Sequence, residues 1–410
     1  MMILRNDADQ IMTAAIRSAL PDAAVERALE NRRFPGRVFL VSAGKAAWQM
    51  AKTAADYLGD TVTQGVVITK YAHSNGEIAR TQVFEAGHPV PDVNSFLATE
   101  KALKLTETLR SDDTVLFLLS GGGSALFEKP LVPQAELQDI TKQLLACGAD
   151  IVEMNIVRKR LSAVKGGRFA LHCLPAKVFS IVLSDIIGDP LDMIASGPAY
   201  SDASSCEQAL EIAHRYGLRL SEQALNCLKT ETPKILENVE TLVTGSVKQL
   251  CESAESTCIQ LGYRPMVLTD SLCCTARDAG SFLASIARHY ANTETSLAFI
   301  AGGETVVQLK GKGKGGRNQE LALSAAVGIH GLRNTAVFSV GSDGTDGPTD
   351  AAGGYVDGNV AHALSQVGIS IFDELENNNA YVALEKCGGL IKTGATGTNV
   401  NDLSVLLIKR

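Results

Sequence analysis

Short apolar runs of strand length alternate with helical stretches through most of the chain, and this alternation restricts the fold more than any single motif. Four early runs are apolar at nearly every position, as expected of parallel strands that are covered on both faces. They lie at 37–42, 65–69, 114–120 and 176–184. Helical patterns separate them at 45–58, 94–110 and 134–146. This order predicts an α/β domain with a mainly parallel sheet.

A polar, helical stretch at 203–240 interrupts the strands, and a second series follows. Its strands are predicted at 241–244, 264–269, 296–301, 305–310, 335–341 and 403–408. The chain of 410 residues is also long for one core. We therefore predict two α/β domains. Residues 1–235 form a Rossmann-like parallel sheet with helices on both faces, and 236–410 form a mixed sheet. Because ligands bind beyond strand ends, we expect the active site in the cleft between the domains.

Charge and cysteine usage exclude several classes of protein. A net charge of -7 argues against a general nucleic-acid binder, since there is no global basic field. The nine cysteines include no CxxC pair, which favours reduced thiols over a disulfide framework. The N-terminus is not a signal peptide, and no run reaches the roughly 18 apolar residues of a membrane span. We expect a cytoplasmic protein, monomer or homodimer, that binds small molecules rather than nucleic acid or membranes.

Two turns after predicted strands have the character of anion sites. Ser42, Gly44 and Lys45 belong to a turn that leads from a strand into a helix, where free backbone N–H groups and a lysine favour an anion. A solvated lysine at the start of a helix is the alternative. The second turn follows the strand at 114–120 and permits close backbone approach to an oxyanion or phosphate; a purely structural tight turn is the alternative. It comprises Ser120, Gly121, Gly122, Gly123 and Ser124.

A basic segment and two aspartates follow. The basic residues have helical spacing, so only some can face one ligand, and we expect the others to be solvated. They are Arg158, Lys159, Arg160, Lys165 and Arg168. Asp185 and Asp189 follow the apolar run at 176–184, where a carboxylate should be paired, metal-bound or a base. Capping of the next helix is the alternative.

The segment "GKGKGGRNQE" (311–320) contains G-x-G-x-x-G, the pattern of a dinucleotide turn. The preceding run at 305–310 alternates apolar and polar residues, however, which predicts an antiparallel hairpin with 296–301 rather than a buried parallel strand. Three cations within six residues fit a triphosphate better than a pyrophosphate. Arg317, at the start of a predicted helix, could clamp phosphate with two hydrogen bonds.

Two later loops are candidates for a metal and for a small substrate. Asp343, Asp346 and Asp350 crowd a glycine-rich turn, which suggests Mg²⁺ at Asp343; an acidic surface loop is the alternative. The loop that contains Asn399 offers neutral donors, which suit a polyhydroxylated or carboxylated molecule, although it could be only a turn.

Taken in order, several of these segments resemble the glycerate 2-kinases, whose C-terminal half is called the MOFRL domain (here about 295–405). The matching segments include "SAGKA", "GHPVPD", "SGGGSAL", "SDIIGDPLDMIASGP", "GGETVV", "GKGKGGRNQE", "VGSDGTDGPTDAAGG" and "TGTNVNDL". The resemblance implies ATP-dependent phosphorylation of D-glycerate, usually to 2-phosphoglycerate, with Mg²⁺. It implicates Lys45, Asp185, Asp189, Glu304, Arg317, Asp343 and Asn399. Some relatives are called hydroxypyruvate reductase, from their place in tartrate degradation operons.

We therefore assign catalytic roles to Lys45, Asp185, Asp189 and Arg317, and metal binding to Asp343. Substrate or phosphate binding is assigned to Ser42, Gly44, Ser120, Gly121, Gly122, Gly123, Ser124, Glu304, Gly313, Gly315, Asn318 and Asn399. Two other functions stay open: an NAD(P)H-dependent hydroxypyruvate reductase, and a sugar-acid or phosphate sensor without turnover.

Overall fold

The computed structural model describes residues 2–184, 186, 188 and 191–410. These residues form two compact units. We call 24–184 with 191–244 the N-terminal unit, and 2–23 with 245–410 the C-terminal unit. The described strands are β1 (Val38–Ala43), β2 (Val62–Lys70), β3 (Thr81–Ala86), β4 (Thr114–Leu119), β5 (Lys177–Leu183), β6 (Val239–Gly245), β7 (Arg264–Leu272), β8 (Leu297–Gly303), β9 (Thr335–Gly341), β10 (Gly353–Asp357), β11 (Leu390–Ile391) and β12 (Asp402–Ile408).

Helices connect most of these strands, as the sequence pattern predicts. The described α-helices are α1 (Met2–Ser18), α2 (Pro21–Leu29), α3 (Ala47–Leu58), α4 (Val93–Leu105), α5 (Gly123–Leu126), α6 (Gln134–Ala146), α7 (Ile151–Arg160), α8 (Arg168–His172), α9 (Cys206–Arg215), α10 (Glu222–Leu228), α11 (Val247–Gln260), α12 (Ala276–His289), α13 (Arg317–Gly328), α14 (Val360–Gln366), α15 (Ile371–Glu376) and α16 (Ala380–Lys386). Within the described residues, no helix is both long and apolar enough to cross a membrane. All nine cysteines are free thiols, as predicted.

The sheet of the N-terminal unit has the strand order β3-β2-β1-β4-β5-β6, which confirms the predicted Rossmann-like arrangement. The pairs from β3 to β5 are parallel. Successive residues of a strand point to opposite faces, and both faces are buried. Leu116 and Leu118 pack in the core that includes α2 and α3. On the opposite face, the ring of Phe117 packs against the rings of Phe127 and Phe169.

The C-terminal unit contains a mixed sheet of order β11-β10-β9-β12-β8-β7, also as predicted. β12 runs antiparallel to both of its neighbours, β8 and β9, so β8 and β9 end at the same edge at which β12 begins. One face packs against a core that includes α1 and α11, and the other against a core that includes α12 and α13. This shared edge of three strands is where the candidate site of the unit lies.

Three details of the predicted organisation are wrong. The run at 305–310 forms no strand or hairpin and makes only a single bridge, from Val306 to Thr275. The strand at 241–244, predicted to open the second domain, lies in β6 at the edge of the first sheet, so the units divide after residue 244 rather than near 235. Residues 2–23 also belong to the C-terminal unit, because α1 buries its apolar face in the core of that unit.

Candidate functional site

Two of the predicted anion-binding turns lie side by side in the N-terminal unit. β1 is followed in the chain by β2 on one side, whereas β4 lies on its other side, so the strand order reverses between β1 and β4. Open α/β sheets bind ligands at such a switch point, beyond the carboxyl ends of the strands. The turn at Ser42–Lys45 follows β1, and the turn at Ser120–Ser124 follows β4. Both turns therefore lie at the position where this topology favours a ligand.

Hydrogen bonds and close packing lock the two turns together. The backbone N–H of Lys45 donates to the carbonyl of Gly121 at 2.9 Å, and that of Ala46 to Ser120 Oγ at 3.1 Å. Gly44 has φ of +134°, and a Cβ at this position would lie 2.1 Å from Ser120 Oγ. The hydroxyl of Ser42 is buried and donates to the Ala47 carbonyl. Ser42, Gly44 and Ser120 thus hold the turns in place, and ligand binding by the two serines stays a prediction.

A cationic patch lies over these turns. A Cβ on Gly122 would lie 3.1 Å from His88 Nε2 and 3.3 Å from Lys45 Cγ, so both side chains pack against this glycine. Burial and the positive charges of Lys45, Lys70 and His73 lower the pKa of His88. Among the described residues, the ammonium group of Lys45 has no ion pair. The patch is therefore electropositive and open to an anion.

The glycine turn adds hydrogen-bond donors to this patch. In the described part of the chain, the N–H groups of Gly121 and Gly122 have no protein acceptor. Ser124 Oγ lies 3.2 Å from Ser196 Oγ, which donates to Asn155 Oδ1 at 2.8 Å. A Cβ on Gly123 would lie 2.8 Å from the Cβ of Ala195, so that glycine is required by packing. The glycine turn thus adds two backbone N–H groups next to the side chains of Lys45 and His88.

The buried cations of the basic segment stabilise the fold instead of facing solvent or a ligand. Lys159, Arg160 and Lys165 are buried, and each pairs with a carboxylate. Lys165 Nζ lies 2.7 Å from Glu128 Oε2 and donates to the carbonyl of Ser124 at 2.8 Å. The prediction of spare, solvated cations is wrong for these three, because the fold places their side chains inside the unit. Asp185 and Asp189 lie outside the described residues.

The C-terminal unit contains a pocket of about 710 Å³ at the shared edge of β8, β9 and β12. Glu304 follows β8, Asp343 follows β9, and Arg317 begins α13. Five predicted site residues line this one pocket, namely Glu304, Gly313, Gly315, Arg317 and Asp343. The sheet topology brings them together across a wide span of sequence.

Arg317 is already paired on both edges of its guanidinium group. Its Nε and Nη2 donate to the two oxygens of Asp402 at 2.5 and 3.0 Å, and its Nη1 donates to Glu304 Oε1 at 2.7 Å. Asp402 is the first residue of β12 and its side chain is only 7% exposed, whereas the Glu304 side chain is 46% exposed. The two-bond clamp predicted for phosphate is therefore made to Asp402, and only the outer edge of Arg317 faces the pocket.

The glycine loop is held by a run of three asparagines. The side-chain oxygen of Asn378 accepts hydrogen bonds from the backbone N–H groups of Lys310 and Gly311. Those of Asn377 and Asn379 accept from Lys312 and Lys314, and the backbone carbonyl of Asn377 accepts from the Gly313 N–H. A Cβ on the fingerprint glycines would come within 2.5 Å of Asn377 or Asp346, which explains why they are glycines. They are Gly311, Gly313 and Gly316.

The N-terminus of α13, which would bind the pyrophosphate of a dinucleotide, is occupied by the side chain of Asp346. Asp346 accepts hydrogen bonds from the backbone N–H groups of Asn318 and Gln319, the first turn of α13, at 3.1 and 2.8 Å. A buried carboxylate therefore occupies the end of the helix at which a pyrophosphate would bind. Burial raises the pKa of Asp346 to about 6. The literal G-x-G-x-x-G is thus a packing pattern and not a cofactor cradle.

Three other predicted residues occupy different places. Asn318 is buried, and its amide oxygen accepts a hydrogen bond from Ser339, so it does not line the pocket. Asn399 is exposed in the loop before β12 and lies outside the residues that line the pocket. Asp350 pairs with Lys392 and Tyr381, and these contacts lower the pKa of Asp350 to about 2. The three aspartates of the glycine-rich turn therefore separate into different roles.

Asp343 is the aspartate of this turn that remains available for a metal. One of its oxygens accepts a hydrogen bond from the Thr345 N–H, and the residue lines the pocket with Glu304. Across the described ranges, Asp343 belongs to no cluster of three or more metal-capable side chains. Mg²⁺ commonly uses one or two carboxylates and takes its other ligands from substrate phosphates and water. The residues therefore fit a magnesium ion that arrives with a phosphate.

Some important residues were not found from sequence. His88 lies in the quoted "GHPVPD" segment, but its position beside Lys45 depends on the sheet topology. Asp402 could have been suspected, because a carboxylate that opens an apolar strand must find a partner. The run Asn377–Asn379 is conspicuous in the sequence, yet nothing local connects it with the glycine loop.

Known protein families match regions of both units. Residues 7–229 match a family described as a domain of unknown function, DUF4147, and residues 297–402 match the MOFRL family, close to the predicted range. A protein of Thermotoga maritima named D-glycerate 2-kinase is 50% identical over 411 residues, 99% of this chain and 98% of that protein.

A solved structure and a differently named relative complete the comparison. The crystal structure of a glycerate kinase from Thermotoga maritima superposes with a TM-score of 0.95 at 49% identity, covering 100% of each chain. A relative from Agrobacterium vitis, 37% identical over 97% of this chain and 93% of its own, carries the name of a hydroxypyruvate reductase. By identity, coverage and fold, the chain belongs to the glycerate 2-kinase family of enzymes, whose C-terminal region is the MOFRL domain.

Proposed function

We propose that the protein transfers the γ-phosphate of ATP to D-glycerate, with 2-phosphoglycerate as the product. The observation that carries this proposal is the pocket at which Arg317, Glu304 and Asp343 converge beside the GKGKGGR loop. Relatives named for glycerate phosphorylation, at 50% identity over nearly the whole chain, support it.

Both substrates of this reaction are anions, and each unit carries a cation site of its own. In the N-terminal unit, Lys45 lies beside the N–H groups of Gly121 and Gly122, and the described residues supply neither an ion pair for the lysine nor an acceptor for these N–H groups. In the C-terminal unit, Arg317 presents its outer edge to the pocket, and the exposed Lys312 adds charge. Phosphoryl transfer depends mainly on positioning and on neutralising phosphate charge, which these cations supply.

Magnesium, when bound, would supply positive charge that offsets the charge of the phosphates. Asp343 would hold it, with Glu304 on the same pocket as a second carboxylate. Asp185 or Asp189 is proposed to orient or deprotonate the attacking hydroxyl, and Asn399 to bind glycerate; these roles come from the family resemblance.

The test is product analysis with the purified protein. D-Glycerate, ATP and Mg²⁺ are incubated with enzyme, and ³¹P NMR distinguishes 2-phosphoglycerate from 3-phosphoglycerate. We expect one equivalent of 2-phosphoglycerate per ADP formed. Formation of 3-phosphoglycerate would refute the regiochemistry alone, and absence of any phosphoglycerate would refute the kinase proposal.

A parallel assay addresses the hydroxypyruvate reductase alternative. NADH and NADPH are each mixed with enzyme and hydroxypyruvate, and absorbance at the nicotinamide band is followed. We expect no oxidation, because the backbone donors of the G-x-G-x-x-G loop and the start of α13 already bind Asn377–Asn379 and Asp346. Steady turnover of NADH would support the reductase instead.

A further inference from the structure

Arg317, Glu304 and Asp402 form a group that we call the Arg317 network. The two carboxylates are bound unequally, and the proposed reaction does not explain why. One cation meets two carboxylates, so the group carries a net negative charge where a phosphate is expected to bind. The contact with Glu304 uses a single hydrogen bond from Nη1, and that with Asp402 uses two, from Nε and Nη2. An approaching phosphate would be repelled unless one carboxylate moves.

Only one of the two carboxylates is placed to move. Asp402 is fixed between two strands, since its register partners are Gly303 on β8 and Gly341 on β9. Its side chain is 7% exposed, and freeing it would leave a charge buried without a partner. Glu304 follows the end of β8, its side chain is 46% exposed, and it lines the pocket.

We propose that Glu304 occupies the phosphate position on the outer edge of Arg317 in the free enzyme, and that Asp402 is the positioning residue that holds the guanidinium group when phosphate displaces Glu304. Glutamate and phosphate oxygens are equivalent acceptors for an arginine N–H, so the exchange conserves the hydrogen bond at Nη1. The fork to Asp402 keeps the plane of the guanidinium group unchanged. This inference rests on the proposed function, since it assigns the exchange to the phosphate-transfer site.

The displacement is tested by binding of inorganic phosphate, measured by titration calorimetry. Glu304→Gln removes the competing charge but keeps the size of the side chain, so we expect phosphate to bind about five- to tenfold more tightly than to the wild type. The matched control is Glu376→Gln, which alters an exposed glutamate paired with Arg277 in the same unit and should leave the affinity unchanged. Equal or weaker phosphate binding by Glu304→Gln would overturn the displacement.

The positioning role is tested by a double-mutant cycle on kcat and KM for ATP. Asp402→Asn and Arg317→Lys should each lower kcat by about 30- to 100-fold, because a lysine cannot form the two-bond fork and an asparagine amide cannot accept both of its bonds. If Asp402 acts through Arg317, the double variant should lose little more than the worse single variant. Independent losses that multiply would overturn the positioning role.

Folding and function are separated by two further measurements. Thermal unfolding identifies any variant that is not folded at the assay temperature, and Asp350→Asn controls for loss of a paired aspartate elsewhere in the unit. It should retain wild-type kcat. If the wild type forms no phosphoglycerate, the proposed function fails, but the phosphate affinities of wild type and Glu304→Gln still decide whether Glu304 competes for Arg317.

Discussion

The two units differ in whether the cation of their predicted anion site is already paired with a carboxylate. In the N-terminal unit, Lys45 is left without an ion pair among the described residues, beside glycine N–H groups at the switch point of a parallel sheet. In the C-terminal unit, Arg317 is paired at both edges, and most N–H groups of the glycine loop are bound to asparagines. A glycine-rich pattern therefore marks packing in one unit, whereas the glycine turn of the other has N–H groups that no described residue accepts.

The sharpest test of this contrast is Arg317→Ala. We expect kcat/KM for phosphorylation to fall by about 1000-fold, the lower range for a transition-state arginine. Because Asp402 would be left buried without its partner, the free energy of unfolding should also fall by about 3 kcal/mol. Urea denaturation and steady-state kinetics measure the two effects. An unchanged stability would mean that the Arg317 network does not stabilise the unit.

Lys45→Ala should have a similar effect on activity without the effect on stability. We expect a fall in kcat/KM of about 100- to 1000-fold, the size found on removing one preorganised donor. The free energy of unfolding should change by less than about 0.5 kcal/mol, since no buried partner is abandoned. Lys52→Ala, which removes a lysine paired with Asp56 on α3, is the control. A large loss of unfolding free energy in Lys45→Ala would contradict the expectation that only the substitution of Arg317 destabilises the fold.

The pH dependence of stability should reveal the buried carboxylate of the C-terminal unit. The pKa of Asp346 is raised to about 6, above the unfolded value of about 3.9, so the folded state binds this proton more tightly. Protonation of Asp346 therefore contributes its full share to the free energy of unfolding below the pKa of the unfolded state, and this share is lost as pH rises through 6. Relative to Asp346→Asn, the wild type should therefore lose up to about 3 kcal/mol of unfolding free energy between pH 4 and pH 7. Parallel pH profiles of the two proteins would contradict this.

The smallest predicted effect separates two glycines of one loop. A Cβ on Gly313 would lie 2.5 Å from the carbonyl oxygen of Asn377, whereas on Gly315 its nearest neighbour would be 3.3 Å away. Gly313→Ala should therefore cost about 1 to 2 kcal/mol of unfolding free energy through overpacking, and Gly315→Ala clearly less. Chemical denaturation of both variants measures the difference. Equal losses of unfolding free energy in the two variants would show that packing against Asn377 does not require a glycine at position 313.

Much of the fold could be predicted because its strands and helices are long and regular. The limits of β9 and α6 coincide with the predicted 335–341 and 134–146. β10 was missed, since the glycines at its start weaken any strand pattern. The strand prediction at 305–310 is wrong because this segment is a loop in which even the apolar Val306 and Leu309 are exposed. Asn378 holds the loop by side-chain hydrogen bonds at Gln308 and Lys310.

The candidate site was predictable in its location but not in its hydrogen-bond partners. Turns that follow parallel strands must meet at one edge, so Lys45 and the glycine turn could be placed together. The partner of Arg317 is Asp402, which is 85 residues away in the chain, and only the antiparallel insertion of β12 between β8 and β9 brings them into contact. Residue type indicated the chemistry, but which carboxylate pairs with which cation depends on the tertiary structure.

The position of α1 has a consequence for the order of events during synthesis. This helix packs in the core that contains β12, and Asp7 binds Tyr263 and Lys409, near the other end of the chain. At a ribosomal rate of about 5 to 20 residues per second, roughly 20 to 80 seconds separate the emergence of α1 from that of β12. The N-terminal unit can fold during that interval, while the first helix waits for α11, its main packing partner, and finally for β12. The apolar face of α1 therefore stays uncovered until the C-terminal unit has been synthesised.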